Sequence, residues 1–160
     1  MAASFPTVRS LLRHREPLLF LDRIQAQNVG DWCLARSAAC TNSESGWGRF
    51  DVLEMLGQCS ALILAQMPKY KDSGVPVFAA MNWVRWKELD TVVPETKLDV
   101  YAKLDPTRSR TSMGTVRACA GSLKPEDFSE GSTGLIFDRG SWVCEAELVF
   151  AFVPSTHTTR

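Results

Sequence analysis

The sequence predicts an α+β domain in which one long, curled, mostly antiparallel sheet wraps around one long central helix. Three observations carry this. Phe50 to Met67 has the length and composition of a helix that is apolar almost all round, with Val52, Leu53, Met55, Leu56, Leu62, Ile63 and Leu64, and Pro68 stops it. The second half of the chain alternates as strands do: Leu98, Val100, Ala102 and Leu104 share one face, and so do Trp142, Cys144, Ala146, Leu148, Phe150 and Phe152. The length of 160 residues, 45% hydrophobic and 22% charged, fits one domain with one core. A lone apolar helix needs cover on nearly every side, and a curved sheet provides it.

The elements follow in order. Thr7 to Arg13 places Val8, Leu11 and Leu12 at helical spacing and reads as a short helix. Pro17 opens the apolar run Leu18-Leu19-Phe20-Leu21, which continues to Ile24 as a buried strand. A turn at Asn28-Val29-Gly30-Asp31 leads into a strand from Trp32 to Cys40. Asn42 to Gly48 is a polar loop before the helix, on which Asp51, Glu54 and Gln58 form a single polar stripe. Strands are predicted over Val75 to Trp86, Lys97 to Leu104, Thr111 to Ala120 and Ser141 to Val153. Gly121 to Gly140, rich in Gly, Ser, Asp and Glu, is too long for a hairpin and reads as a surface excursion. The domain spans 1–154, and 155–160 is a polar, flexible tail. Such a sheet has open edges, so pairing with a second chain in a homodimer or heterodimer is expected.

Composition narrows the function. Eighteen basic and eighteen acidic residues cancel, which removes the electrostatic footprint of a dedicated nucleic-acid binder. No apolar run reaches the roughly 18 residues of a membrane span, and the N-terminal residues lack the apolar core of a secretory signal. Cys33, Cys40, Cys59, Cys119 and Cys144 are scattered and odd in number. They read as reduced, mostly buried thiols in a cytoplasmic protein, with no zinc spacing among them. The two histidines are His14 and His157, and the second lies in the polar tail.

Three stretches resemble the 3-hydroxyacyl-ACP dehydratases. His14-Arg15-Glu16-Pro17-Leu18-Leu19-Phe20-Leu21-Asp22-Arg23-Ile24 resembles the HRYPFLLVDRV-type segment near the start of that family. Val52-Leu53-Glu54-Met55-Leu56-Gly57-Gln58 is similar to its central-helix segment, LILEAMAQ. Ala79 to Lys87 followed by Val93-Pro94 looks like its KVRFKRPVVPGD-type strand and turn. Order and rough spacing agree from about residue 8 to residue 153. The resemblance implies the hotdog fold, a curled sheet around a helix. It also implies an acyl carrier protein as partner, with a phosphopantetheine-linked acyl chain as substrate, and no metal or redox cofactor. The family's catalytic histidine, in a GHFPG-like loop before the helix, has no counterpart. Counting back the same distance from Glu54 lands on Cys40, and residues 40 to 49 contain neither His nor Pro. In this the chain resembles the divergent dehydratase-like proteins of aryl-polyene and related type II polyketide clusters.

Dehydrating a 3-hydroxyacyl thioester requires a base for the C2 proton, an acid for the departing hydroxyl and donors to the thioester oxygen. Glu54 is the candidate carboxyl, its pKa expected to rise by burial on the helix; Gln58 would hold it in position. Pairing with Arg23 or Arg49 is its structural alternative. Gly48, Arg49 and Phe50 are candidate N–H donors to the thioester oxygen at the helix start. Trp47 could wall an acyl tunnel, and Cys40 completes the candidate substrate-binding set. Asp51 reads as a capping residue. Arg85, Lys87, Arg108 and Arg110 are candidate contacts for an acidic carrier. The missing base has three solutions: a partner chain supplies it, His14 takes the role, or the chain is a non-catalytic structural partner. A hotdog acyl thioesterase using Glu54 to activate water is the rival enzyme.

Overall fold

The computed structural model describes residues 5–40, 46–68, 74–87, 92–93, 97–110, 112–123 and 141–153. The chain runs through α1 (Val8–Leu11), β1 (Leu21–Asn28), β2 (Trp32–Ser37), β3 (Trp47–Gly48), α2 (Arg49–Ala65), β4 (Val75–Trp86), β5 (Val92–Val93), β6 (Asp99–Leu104), β7 (Met113–Ser122) and β8 (Ser141–Val153). Six strands form one sheet in the order β1-β2-β6-β7-β8-β4, and β3 pairs with β5 apart from it. Every pairing is antiparallel. This is the architecture expected from the sequence. Of the excursion expected over 121–140, Gly121 and Ser122 belong to β7 instead; residues 124–140 and 154–160, with the expected tail and His157, lie outside the described residues.

The helix α2 lies against one face of the sheet. Val52, Met55, Leu56, Cys59, Leu62, Ile63 and Leu64 are buried, and with Val100, Ala102, Val116, Ala118, Ala146, Leu148 and Phe150 they form one core cluster. Close approach is needed at Gly114 of β7: a Cβ there would lie 2.9 Å from Leu64 Cδ2. The helix ends at Ala65, two residues before the predicted stop. The N–H groups of Gln66 and Met67 turn back to Ile63 and Leu64, each at 3.2 Å. That tightened turn is the geometry imposed ahead of Pro68, which disfavours helical backbone at the residue before it.

The start of the chain departs from expectation. The predicted strand over 18–24 is displaced: Leu18 N–H bonds to Arg15 O at 2.9 Å in a turn, and Leu18 is 62% exposed. The strand begins at Leu21 and continues through the polar residues to Asn28. As the sheet's first edge, β1 needs only partial burial, so periodicity of 2 outweighs the local apolar run. The first helix is a single turn, capped by Thr7 Oγ1, which accepts from Ser10 N at 3.2 Å. Gly30, at φ 83°, makes the β1–β2 turn.

The outer face of the sheet also buries polar groups. Asp99 accepts from Gln25 Nε2 (2.6 Å), Arg36 Nε (2.8 Å) and Leu123 N (3.2 Å). Glu147 accepts from Asn82 Nδ2 (2.7 Å), Arg117 Nε (3.3 Å) and Arg108. Burial works to raise the Glu147 pKa, but the bonds from Asn82, Arg108 and Arg117 outweigh it and hold the carboxyl below its ordinary range. Glu145 is likewise buried and lies against Arg85. None of the five cysteines forms a disulfide, and Cys33, Cys59, Cys119 and Cys144 are buried.

Candidate functional site

Gln58, on α2, is the hub of the site. It is 1% exposed, and its amide is fixed on both sides by backbone from the segment ahead of β1. Nε2 donates to Leu18 O at 2.7 Å, and Oε1 accepts from Phe20 N at 3.1 Å. Nε2 also donates to Glu54 Oε1 at 3.0 Å, one helical turn back. The displaced apolar run thus serves to dock this amide. On the other side of Glu54 Oε1 stands His14 Nε2, at 3.3 Å. His14 Nδ1 is buried with no partner among the described residues.

His14, Glu54 and Gln58 line a cavity of about 420 Å3. Its other walls are apolar: Leu53 and Ala61 from α2, Val77, Phe78 and Met81 from β4, and Leu148 and Phe150 from β8. The result is a concave apolar slot with a few convergent polar groups, which is how small-molecule sites are built. Its volume also falls in the usual range of such sites, about 300–1,000 Å3.

The sequence-predicted residues divide. Glu54, Gln58 and Phe50 line the cavity, and His14, one of the three alternatives for the missing base, joins them. The burial expected of Glu54 is only partial, since its side chain is 43% exposed. Trp47 is buried but packs edge-to-face on Phe20 at 5.8 Å and is not among the cavity's lining residues. Cys40 is half-buried against the core, also outside the lining. The N–H of Gly48 already donates to Asp51 Oδ2 at 3.0 Å, so Asp51 is a capping residue and Gly48 is a less available donor. Arg49 stacks over Trp86, its Cζ 5.1 Å from the ring centroid. Two of the cations considered for carrier docking are engaged with buried carboxylates: Arg85 with Glu145 and Arg108 with Glu147.

Sequence reasoning missed the β4 and β8 walls. Their residues read simply as core or strand, and only the cross-strand register, Phe78 opposite Phe150 and Met81 opposite Leu148, brings them together. The helical wall was legible in principle, because Phe50, Leu53, Glu54, Gly57 and Ala61 share one face at spacings of three and four. Among the described residues no group of three side chains is placed to hold a metal ion. No helix among them is long and apolar enough to cross a membrane.

Comparison with known proteins agrees with this architecture. In fold, the chain superposes on the dehydratase heterocomplex ApeI:P from Xenorhabdus doucetiae with a TM-score of 0.66 and 14% identity, over 96% of this chain and 95% of that one. A hypothetical thioesterase with coenzyme A from Streptococcus pneumoniae TIGR4 superposes at 0.54 and 10% identity, over 82% and 85% of the two chains. The chain is therefore a hotdog-fold protein. No protein-family model matches it. In sequence it is 25% identical over 155 residues to the 3-hydroxyacyl-[acyl-carrier-protein] dehydratase FabZ of Clostridium botulinum, covering 90% of this chain and 94% of that protein. It is 26% identical over 153 residues to FabZ of Listeria monocytogenes, covering 90% and 92%. Within the hotdog fold, its sequence is similar to the FabZ dehydratases at about a quarter identity over nearly the whole chain.

Proposed function

We propose that the chain is a 3-hydroxyacyl-ACP dehydratase-like subunit of fatty-acid or polyketide biosynthesis, converting a 3-hydroxyacyl thioester to the 2-enoyl thioester. The observation that carries the reading is the His14–Glu54 pair, 3.3 Å apart among the lining of an apolar cavity. His14 is the base the resemblance left missing, and it comes from the same chain. With the acyl chain in the slot, His14 Nε2 takes the C2 proton. Glu54 passes a proton to the C3 hydroxyl, which leaves as water while the C2–C3 double bond forms. The pair then holds the same number of protons as before, now on His14, and transfer across the short contact resets it. Gln58, bonded to the same Glu54 oxygen, keeps the carboxyl aimed.

A second hotdog chain belongs to this reading. It would pair along β4, an edge of the sheet whose Val77, Phe78 and Val84 are exposed. The carrier protein delivers the acyl group on its phosphopantetheine arm, in the cytoplasm, with no metal or redox cofactor. The test is mass spectrometry of a 3-hydroxyacyl-ACP incubated with the full chain, alone and with a second dehydratase-like chain. Loss of water by this chain alone is expected, falling about 10²–10⁴-fold in rate in His14→Ala and in Glu54→Gln. Loss of water only with both chains, insensitive to His14→Ala but abolished by Glu54→Gln, would move the base to the partner. Release of free acid would identify a thioesterase, and full activity of the pair with Glu54→Gln would make the chain a structural partner.

A further inference from the structure

Gly57 has no packing reason to be a glycine. Gly30 needs its positive φ, and Gly114 lies against Leu64. Gly57 has neither excuse. It sits in the middle of α2 without a positive φ, and a Cβ built on it meets no atom of the described residues within 4 Å beyond the helix's own backbone and its chain neighbours. Glycine is also among the least favourable residues for a helix interior. What its missing side chain leaves open is the cavity, because Gly57 is one of the residues lining it.

Its place in the slot is specific. Gly57 follows Glu54 by three residues, about 4.5 Å further along the helix axis, and Ala61 by about 10.5 Å. All three share the face that looks across to β4 and β8. A chain whose reacting carbons lie at Glu54 meets Gly57 one turn later and reaches Ala61 only if it can pass. We infer that Gly57 is a specificity-determining residue that admits long acyl chains by leaving the slot undivided between Glu54 and Ala61. This rests on the functional reading above, and the substrate class it adds is the acyl thioester too long to end beside Glu54.

The test uses the full chain and unreactive pantetheine amides bearing saturated four- or twelve-carbon acyl groups, with affinities read by calorimetry and Tm by circular dichroism. Gly57→Val is expected to lower the ratio of twelve- to four-carbon affinity at least tenfold. Gly57→Ala is expected to lower that ratio by a smaller factor while raising Tm by about 2–4 °C, the gain of a better helix former. Specificity and stability thus move in opposite directions, which a glycine kept for packing would not do. If the wild-type chain binds both probes and neither variant shifts the ratio, or if Gly57→Ala lowers Tm, this inference alone is overturned. If the wild-type chain binds neither probe, the functional reading fails and this inference fails with it.

Discussion

Replacing Gln58 by Leu keeps the bulk of a buried side chain and removes its polar atoms. Three hydrogen bonds go: to Leu18 O, from Phe20 N and to Glu54 Oε1. The loss of partners matters more than the loss of bonds. Phe20 N–H, half-buried behind the edge strand, would be left unsatisfied, which costs about 1–3 kcal/mol. Leu18 is exposed, so its carbonyl can turn to water, and its share is about 0.5–1.5 kcal/mol, the net worth of one ordinary bond. Glu54 is open to solvent and adds little. The sum is about 1.5–4.5 kcal/mol, or a fall in Tm of about 3–18 °C at about 2–4 °C per kcal/mol for a chain of this size. Urea unfolding followed by tryptophan fluorescence measures it. A loss below about 0.5 kcal/mol would refute the argument, since exposed substitutions away from such features do no more. Gln58→Glu sharpens the test. An ionised carboxylate there faces both Leu18 O and Glu54, so its pKa in the folded chain would stand above the unfolded value. Its stability should be best in acid and decline as pH rises through that folded pKa, narrowing the gap to wild type at low pH.

Other outcomes follow from single contacts. Gly114→Ala forces a Cβ against the buried Leu64 and should cost about 1–3 kcal/mol by overpacking, read as a shift in urea midpoint at unchanged slope; no shift would mean that α2 and β7 can part freely. Glu147 has a depressed pKa, so the stability it gives is complete above the ordinary carboxyl value of 4.5 and is lost as pH falls through its lower folded value. Glu147→Gln should therefore flatten the decline in stability between pH 5 and pH 3, and an unchanged acid limb would contradict the assignment. Burial, with Glu145 beside it, pushes the Cys144 thiol up to about 12, and burial raises Cys59 and Cys119 as well. At pH 8 iodoacetamide should modify Cys40 first in the folded chain, with the four buried thiols following only in urea; intact-mass measurement checks the order.

What the sequence disclosed depended on how local each signal was. β4 and β8 run between the residues predicted, because in both the alternation and the flanking breakers agree. Glu54 and Gln58 were found as a pair because helical spacing of four is a local property. His14 stands in the sequence only as one of three alternatives for the base, because its contact with Glu54 joins the start of the chain to the central helix. Nothing in the spacing reveals that. The run Leu18-Leu19-Phe20 looked like a strand because composition cannot report that a backbone carbonyl and an N–H are claimed by a distant glutamine. Trp47 and Gly48 were placed correctly at the helix entrance, but a sequence gives no direction to an indole. Here it turns toward Phe20, among residues that do not line the slot.

β4 plays two parts at once. It is the last strand of the sheet, with one row of backbone groups unpaired among the described residues, and its Pro76, Val77, Phe78 and Met81 wall the cavity. Any molecule that adds to that edge also sets the wall against which a chain in the slot must fit. Assembly and occupancy are therefore thermodynamically linked through one strand. If an edge partner tightens the grip on an acyl chain by some factor, the acyl chain must tighten the grip on that partner by the same factor. A loaded substrate would then count as part of what holds the two subunits together.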